Sequence, residues 1–97
     1  MCMMKFQWDD NKEKINISKH GLSFRVAATV FNDDDRLEIF DQEHSTAEEE
    51  RYITIGRIEG TVVVIMVVHT ERDDMIRIIS ARYATAEEER WYYDGIG

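Results

Sequence analysis

Two arginines lie inside segments that otherwise read as buried strand, Arg77 in "MIRIIS" and Arg82 in "SARYA". A guanidinium among isoleucines is costly unless its head reaches water, a carboxylate or a ligand phosphate. Regular alternation puts Arg77 with Ile79 and Ala81, and Arg82 with Ser80 and Ile78. The two heads therefore face opposite ways unless a bulge intervenes. For either arginine, an ion pair to an acid-rich helix is the structural alternative to a site role. A second stretch, "SKHG", places Lys19 and His20 at the end of a predicted helix, where the dipole favours cations. Histidine titrates near neutrality and can shuttle a proton, although charge complementarity to the helix end explains the pair equally well.

Other chemistries have less behind them. His20, His44 and His69 stand apart, and neither HExxH nor CxxC occurs. A phosphate-binding P-loop, a dinucleotide glycine fingerprint and a GxSxG elbow are also missing from the sequence. Neither a metal nor a cofactor is expected. The acidic runs Asp33–Asp35 and Glu48–Glu50 have the oxygen ligands for divalent ions, but such runs are usually solvated surface. Trp8, Trp91, Tyr92 and Tyr93 can stack a nucleobase, and core packing is the commoner use of such residues.

The elements that must position these residues follow from local signals. "KFQW" alternates as a short strand. "DDNKEKINISKHG" carries Asp10 and Glu13 at capping-box spacing and ends on Gly21, so a helix is expected between them. Ser23 caps a second helix with Phe24, Ala27, Ala28 and Phe31 on one apolar face. "NDDDR" is a turn, Leu37–Phe40 a strand with Leu37 and Ile39 on one face, and 41–49 a polar loop. In the next strand Arg51, Ile53, Ile55 and Arg57 face one way, and Tyr52, Thr54, Gly56 and Ile58 the other. After a turn at Glu59–Gly60, "TVVVIMVVH" has the character of a central strand buried on both faces. "TERDD" (Thr70–Asp74) is read as a turn, "MIRIISARYA" as a last strand, and Thr85 with Glu88 as the capping box of a final helix. The predicted class is α+β, with N-terminal helices packed on an antiparallel sheet and a C-terminal helix, in one domain over residues 1–97.

The hexamer TAEEER occurs twice, at Thr46–Arg51 and Thr85–Arg90. Its flanks do not match, and two units are too few for a stacked repeat. The copies share capping chemistry, but β-branched "YITI" follows the first and "WYY" the second. Arg51 is thus expected at a strand start and Arg90 on a helix.

A net charge of −8 argues against indiscriminate nucleic-acid binding, while leaving room for a local basic site. The one cysteine, Cys2, permits no internal disulfide, which fits a reducing cytoplasm. The N-terminus lacks the apolar core of a signal peptide, and no apolar run reaches membrane length; a cytoplasmic protein without membrane contacts is expected.

Taken together, "WD–N–KHG–SF" between Trp8 and Phe24, "ER…G" at Glu50, Arg51 and Gly56, and "RIISAR" at Arg77–Arg82 resemble the BrnT toxins of bacterial type II toxin–antitoxin pairs. The likeness runs from about Phe6 to Tyr93. It implies a RelE-like fold and a ribonuclease that blocks translation. The implied partner is a BrnA-like antitoxin, whose ribbon-helix-helix part binds operator DNA; the toxin meets that DNA only through the antitoxin. The implied chemistry is metal-independent cleavage of RNA by its own 2′-hydroxyl. On that basis Arg51, Arg77 and Arg82 are assigned to the phosphate, Lys19 and His20 to proton transfer or phosphate binding, and Glu50 to the base. The alternative is a catalytically inactive toxin-like module that docks a DNA-binding antitoxin or transcriptional partner.

Overall fold

The computed structural model describes residues 4–96; Cys2 lies outside them. The elements are β1 (Lys5–Trp8), α1 (Asp10–His20), α2 (Phe24–Ala28) running into a 3-10 turn (Thr29–Asn32), β2 (Leu37–Phe40), β3 (Arg51–Arg57), β4 (Val64–Arg72), β5 (Met75–Tyr83) and α3 (Ala86–Ile96). The class is α+β, as expected. The strands form one sheet in the order β1-β5-β4-β3-β2. Strands β2 to β5 pair antiparallel, but β1 lies parallel to β5, from Lys5 opposite Met75 to Trp8 opposite Ile78. The sheet is therefore mixed, not antiparallel. The reason is topological: after β1 the chain crosses through the helices to the far edge, and the β2–β5 meander returns to β1 after three reversals. Alternation within "KFQW" carries no information about which strand it meets or in which direction.

Helices sit on both sides. Leu22, Phe24, Ala27, Val30 and Phe31, from α2 and its flanks, pack on Ile65, Val67, Ile76, Ile78 and Ala81 of the sheet. On the opposite face, Tyr92 of α3 packs on Ile55 and Val64, with Leu37, Ile53 and Met66 around them. α1 does neither. Its one buried residue, Asn16, accepts the Ala81 N–H (3.0 Å) and donates to the Leu22 carbonyl (3.0 Å). β1 stops opposite Ile78, so α1 closes the edge of β5 beyond it, and Asn16 satisfies a backbone donor that would otherwise be buried unpaired.

Local chemistry explains most element ends. The N-cap of α1 is Asp9 rather than Asp10, and its carboxylate accepts from the N–H groups of Asn11 and Lys12. Glu13 makes no capping box; it accepts the Phe24 N–H at 2.9 Å and ties the two helices together. Gly21 ends α1 at φ 71°, where a side chain would be strained. Ser23 caps α2 through the Val26 N–H. The expected turn at 70–74 shrinks to Asp73 and Asp74, both at positive φ, as a tight two-residue hairpin requires. Thr70, Glu71 and Arg72 therefore belong to β4, and its first strand residue is Val64.

Candidate functional site

Directly paired residues project from the same face of a sheet, so the register sorts the side chains. Arg51 is opposite Thr70, Thr70 opposite Arg77, and Arg77 opposite Gln7. These four make one row across β3, β4, β5 and β1, on the face that α3 covers further along. Adjacent strands lie about 4.8 Å apart, so the Arg51 and Arg77 backbones are roughly 10 Å apart with Thr70 between them. Arg82 is opposite Met66, on the same face. The pairing slips between Val68 and His69: Ser80 faces Val68, and Ile78 faces His69. Ile79 is the extra residue of a bulge, and it reverses the parity of everything before it. Arg77 and Arg82 therefore share a face, the outcome that regular alternation denies.

Sharing a face does not give the three arginines the same surroundings. Arg82 is bound on both arms by Glu88 of α3, at 2.8 and 2.9 Å, and also donates to the Tyr83 carbonyl. These bonds hold the Arg82 guanidinium above its usual pKa and the Glu88 carboxyl below its own. Glu88 also completes the predicted capping box, taking the Thr85 N–H (2.9 Å) while Thr85 Oγ1 takes its own (3.1 Å). In the first TAEEER copy, Thr46 Oγ1 accepts the Glu49 N–H at 3.0 Å, but no helix follows. Ser45 Oγ accepts the Arg51 N–H (2.8 Å) and turns the chain into β3. Glu49 Oε1 lies 3.4 Å from Arg51 Nε. Both copies thus set a glutamate against an arginine of the same sheet face, tightly in one case and loosely in the other.

Arg77 is different again. Among the described residues its guanidinium has no carboxylate within ion-pair distance. It opens into a cleft of about 170 Å³ lined by Gln7, Thr70, Glu71, Arg72 and Met75 on the sheet and by Glu48, Glu49 and Glu50 of the preceding loop. Among the described residues Arg72, exposed on the same face, also has no carboxylate within ion-pair distance, so Arg77, Arg51 and Arg72 are cations of this face with donors to spare. Lys19 and His20 are exposed at the end of α1, on the side of that helix that carries Asn16 and one turn beyond its contact with Ala81. They belong to the β5 edge and do not join the arginine row. Glu50 accepts a hydrogen bond from the Tyr52 hydroxyl (2.8 Å), and Tyr52 projects from the other face. Of the loop glutamates, it is Glu49 that approaches an arginine of the row.

The family model for the ribonuclease toxin BrnT of type II toxin–antitoxin systems matches residues 8–88. The chain belongs to the BrnT ribonuclease toxin family. RNA is accordingly the implied substrate and an antitoxin the implied partner. Comparison with curated proteins gives no match. The region shared with the BrnT family begins at Trp8 and ends at Glu88, so it contains every predicted site residue and both sides of the Arg82–Glu88 pair.

Several residues of this BrnT face escaped sequence reasoning. Thr70 and Gln7 complete the row, yet Thr70 fell in a predicted turn and Gln7 was only the polar member of a short alternation. A second network fastens α3: Tyr92 Oη donates to Asp33 Oδ2 at 2.6 Å and accepts from Arg57 Nε at 3.1 Å. Burial and Asp33 push the Tyr92 phenol up to about 12. Burial works against the Asp33 charge, but the Tyr92 hydroxyl and the N–H groups of Arg57 and Asp35 outweigh it and hold that carboxyl low. No spacing rule links positions so far apart in the chain. On the other face His69 is fully buried, with Nε2 2.7 Å from Thr54 Oγ1 and Nδ1 unpartnered, and burial lowers its pKa to about 4. His69 therefore serves the core. Among the described residues no group of three His, Cys, Asp or Glu side chains is placed to hold a metal ion.

Proposed function

We propose that the chain cleaves RNA without a metal ion, and that the open half of the sheet face beside Arg51, Thr70 and Arg77 is where it does so. The observation that carries this reading is the row itself: two guanidinium groups flank a hydroxyl, and one of them has no internal partner. Forked donors of this kind match the oxygens of a phosphate, and match still better the charge-dense phosphorane formed during attack. In the reaction the 2′-oxygen forms a bond to the adjacent phosphorus and the P–O5′ bond breaks. The 2′ proton goes to a base, and the departing 5′-oxygen receives a proton from an acid. Arg51 and Arg77 hold the phosphate. Arg82, gripped by Glu88, anchors α3, and its charge is largely offset by that carboxylate. The base is a loop carboxylate, Glu49 or Glu50. Lys19 and His20, at the β5 edge and away from the row, hold a neighbouring phosphate of the RNA chain.

The partner in this reading is a BrnA-like antitoxin with a ribbon-helix-helix part that alone meets operator DNA, and the toxin acts in the cytoplasm to block translation on a RelE-like scaffold. A surface of net charge −8 repels RNA at long range and suits a basic partner segment. The second reading, an inactive docking module, draws on the four glutamates, Glu48, Glu49, Glu50 and Glu71, that share the cleft with Arg77. One experiment separates the two. Expressed without an antitoxin, the protein should arrest growth, and the purified chain in EDTA should leave RNA with 2′,3′-cyclic phosphate and 5′-hydroxyl ends. Arg77→Ala should slow cleavage by about a hundredfold, the order seen when one transition-state donor is removed, at an unchanged melting temperature. Intact RNA, both at low salt and in ribosome-containing extract, would leave only the docking reading.

A further inference from the structure

We infer that the sheet row next to the arginines is a base-binding shelf: the nucleobase lies on Ile53 and Val68, with Ser80 reading its edge. This rests on the RNA-cleaving reading above and extends it from the phosphate to the base. Ile39, Ile53, Val68 and Ser80 are aligned across β2, β3, β4 and β5 by the pairing, on the same face as Arg51 and Arg77. One step along a strand face separates this row from the arginine row, about 6.7 Å.

The shelf is apolar yet open. Ile39 is 40 % exposed, and Ile53, Val68 and Ser80 are half-buried. Val68 is packed into neither apolar core. The next row, Leu37, Ile55, Met66 and Arg82, is closed over by α3: Ile55 is 1 % exposed and Tyr92 fully buried. The result is an apolar floor, a helix wall on one side and phosphate donors on the other. A nucleotide has this polarity, with its planar apolar base one sugar away from its anion. Sheet surfaces serve as platforms for unstacked RNA bases elsewhere. An added peptide strand fits poorly, because β3, β4 and β5 each already have a partner on both sides. Ser80 ends the row beside the bulge, where its hydroxyl can donate to or accept from a base edge.

The test is a binding titration at low salt. Fluorescence anisotropy compares tetranucleotides carrying 2′-O-methyl groups, which cannot be cleaved, with an abasic ribose-phosphate tetramer of the same charge. The protein should bind the tetranucleotides roughly tenfold tighter than the abasic chain. Val68→Ser should lose most of that difference, and Ser80→Ala should change the ranking among the four homotetramers, while Arg90→Ala leaves both intact. Val68→Thr, equal in shape, takes the place of Val68→Ser if the latter does not fold. Equal affinity for abasic and intact chains overturns the shelf, as does a Val68 variant that weakens antitoxin binding but keeps the base discrimination. Base discrimination without any cleavage in EDTA or in extract would sink the catalytic reading and leave the shelf standing. Binding of neither chain would sink both.

Discussion

His69 offers the sharpest quantitative test of the packing. Its ring is fully buried between Phe31, which meets it edge-on, and Tyr52, stacked on it with centroids 6.0 Å apart. Burial brings its pKa from 6.5 to about 4, against a weak opposing pull from Glu38. Above pH 6.5 the ring is neutral in both the folded and unfolded chain, and its titration adds no pH dependence. As the pH falls through 6.5 the unfolded chain takes a proton that the folded chain refuses, so stability drops. The drop ends near pH 4, where the folded ring also charges. A gap of roughly two and a half pH units is worth about 3 kcal/mol, a large part of the stability of a domain this size. The assay is urea unfolding from pH 7.5 to 4.5 for the wild type and for His69→Gln, which keeps a polar group towards Thr54 and cannot titrate. Carboxylate effects are common to both proteins and cancel in the difference. The wild type should lose about 3 kcal/mol relative to the variant across the window. A flat difference, or a ring titration near 6.5 by NMR, would refute the claim that burial keeps this ring neutral.

Other consequences can be measured directly. Glu88→Ala removes both the grip on Arg82 and the reciprocal cap of α3, and should cost about 1–3 kcal/mol in thermal unfolding; Glu49→Ala, at the same place in the first TAEEER copy, should cost far less. Gly56→Ala should destabilise by about 1–3 kcal/mol, because its Cβ would sit 3.2 Å from Arg36 Cβ and 3.3 Å from Val30 Cβ; a melting temperature equal to wild type would show that the neighbours yield easily. Arg51→Ala should reduce toxicity much more than Arg90→Ala, since Arg51 belongs to the row and Arg90 is exposed on α3. Equal effects would undo the distinction between the two hexamers.

The sequence by itself determined what depends on near neighbours. Caps at Ser23 and Thr85, the left-handed stop at Gly21 and the two-sided alternation from Arg51 to Ile58 were all readable, because each rests on contacts within a few residues. The family resemblance was legible for the same reason, in short runs of residues. Tertiary structure decided everything that depends on which elements meet. The two-residue turn at Asp73–Asp74 sets one register for the β4–β5 hairpin, while the pairs from Ser80 to Tyr83 hold another. Ile79 absorbs the mismatch, and that single extra residue brings Arg77 and Arg82 to one face. Whether an arginine is then free or taken depends on what packs above it. α3 brings Glu88 onto Arg82, and the first hexamer brings its glutamates only to the rim of the cleft beside Arg77. Two identical six-residue strings came to differ because one could continue into a helix that docks on the sheet and the other ran at once into a strand.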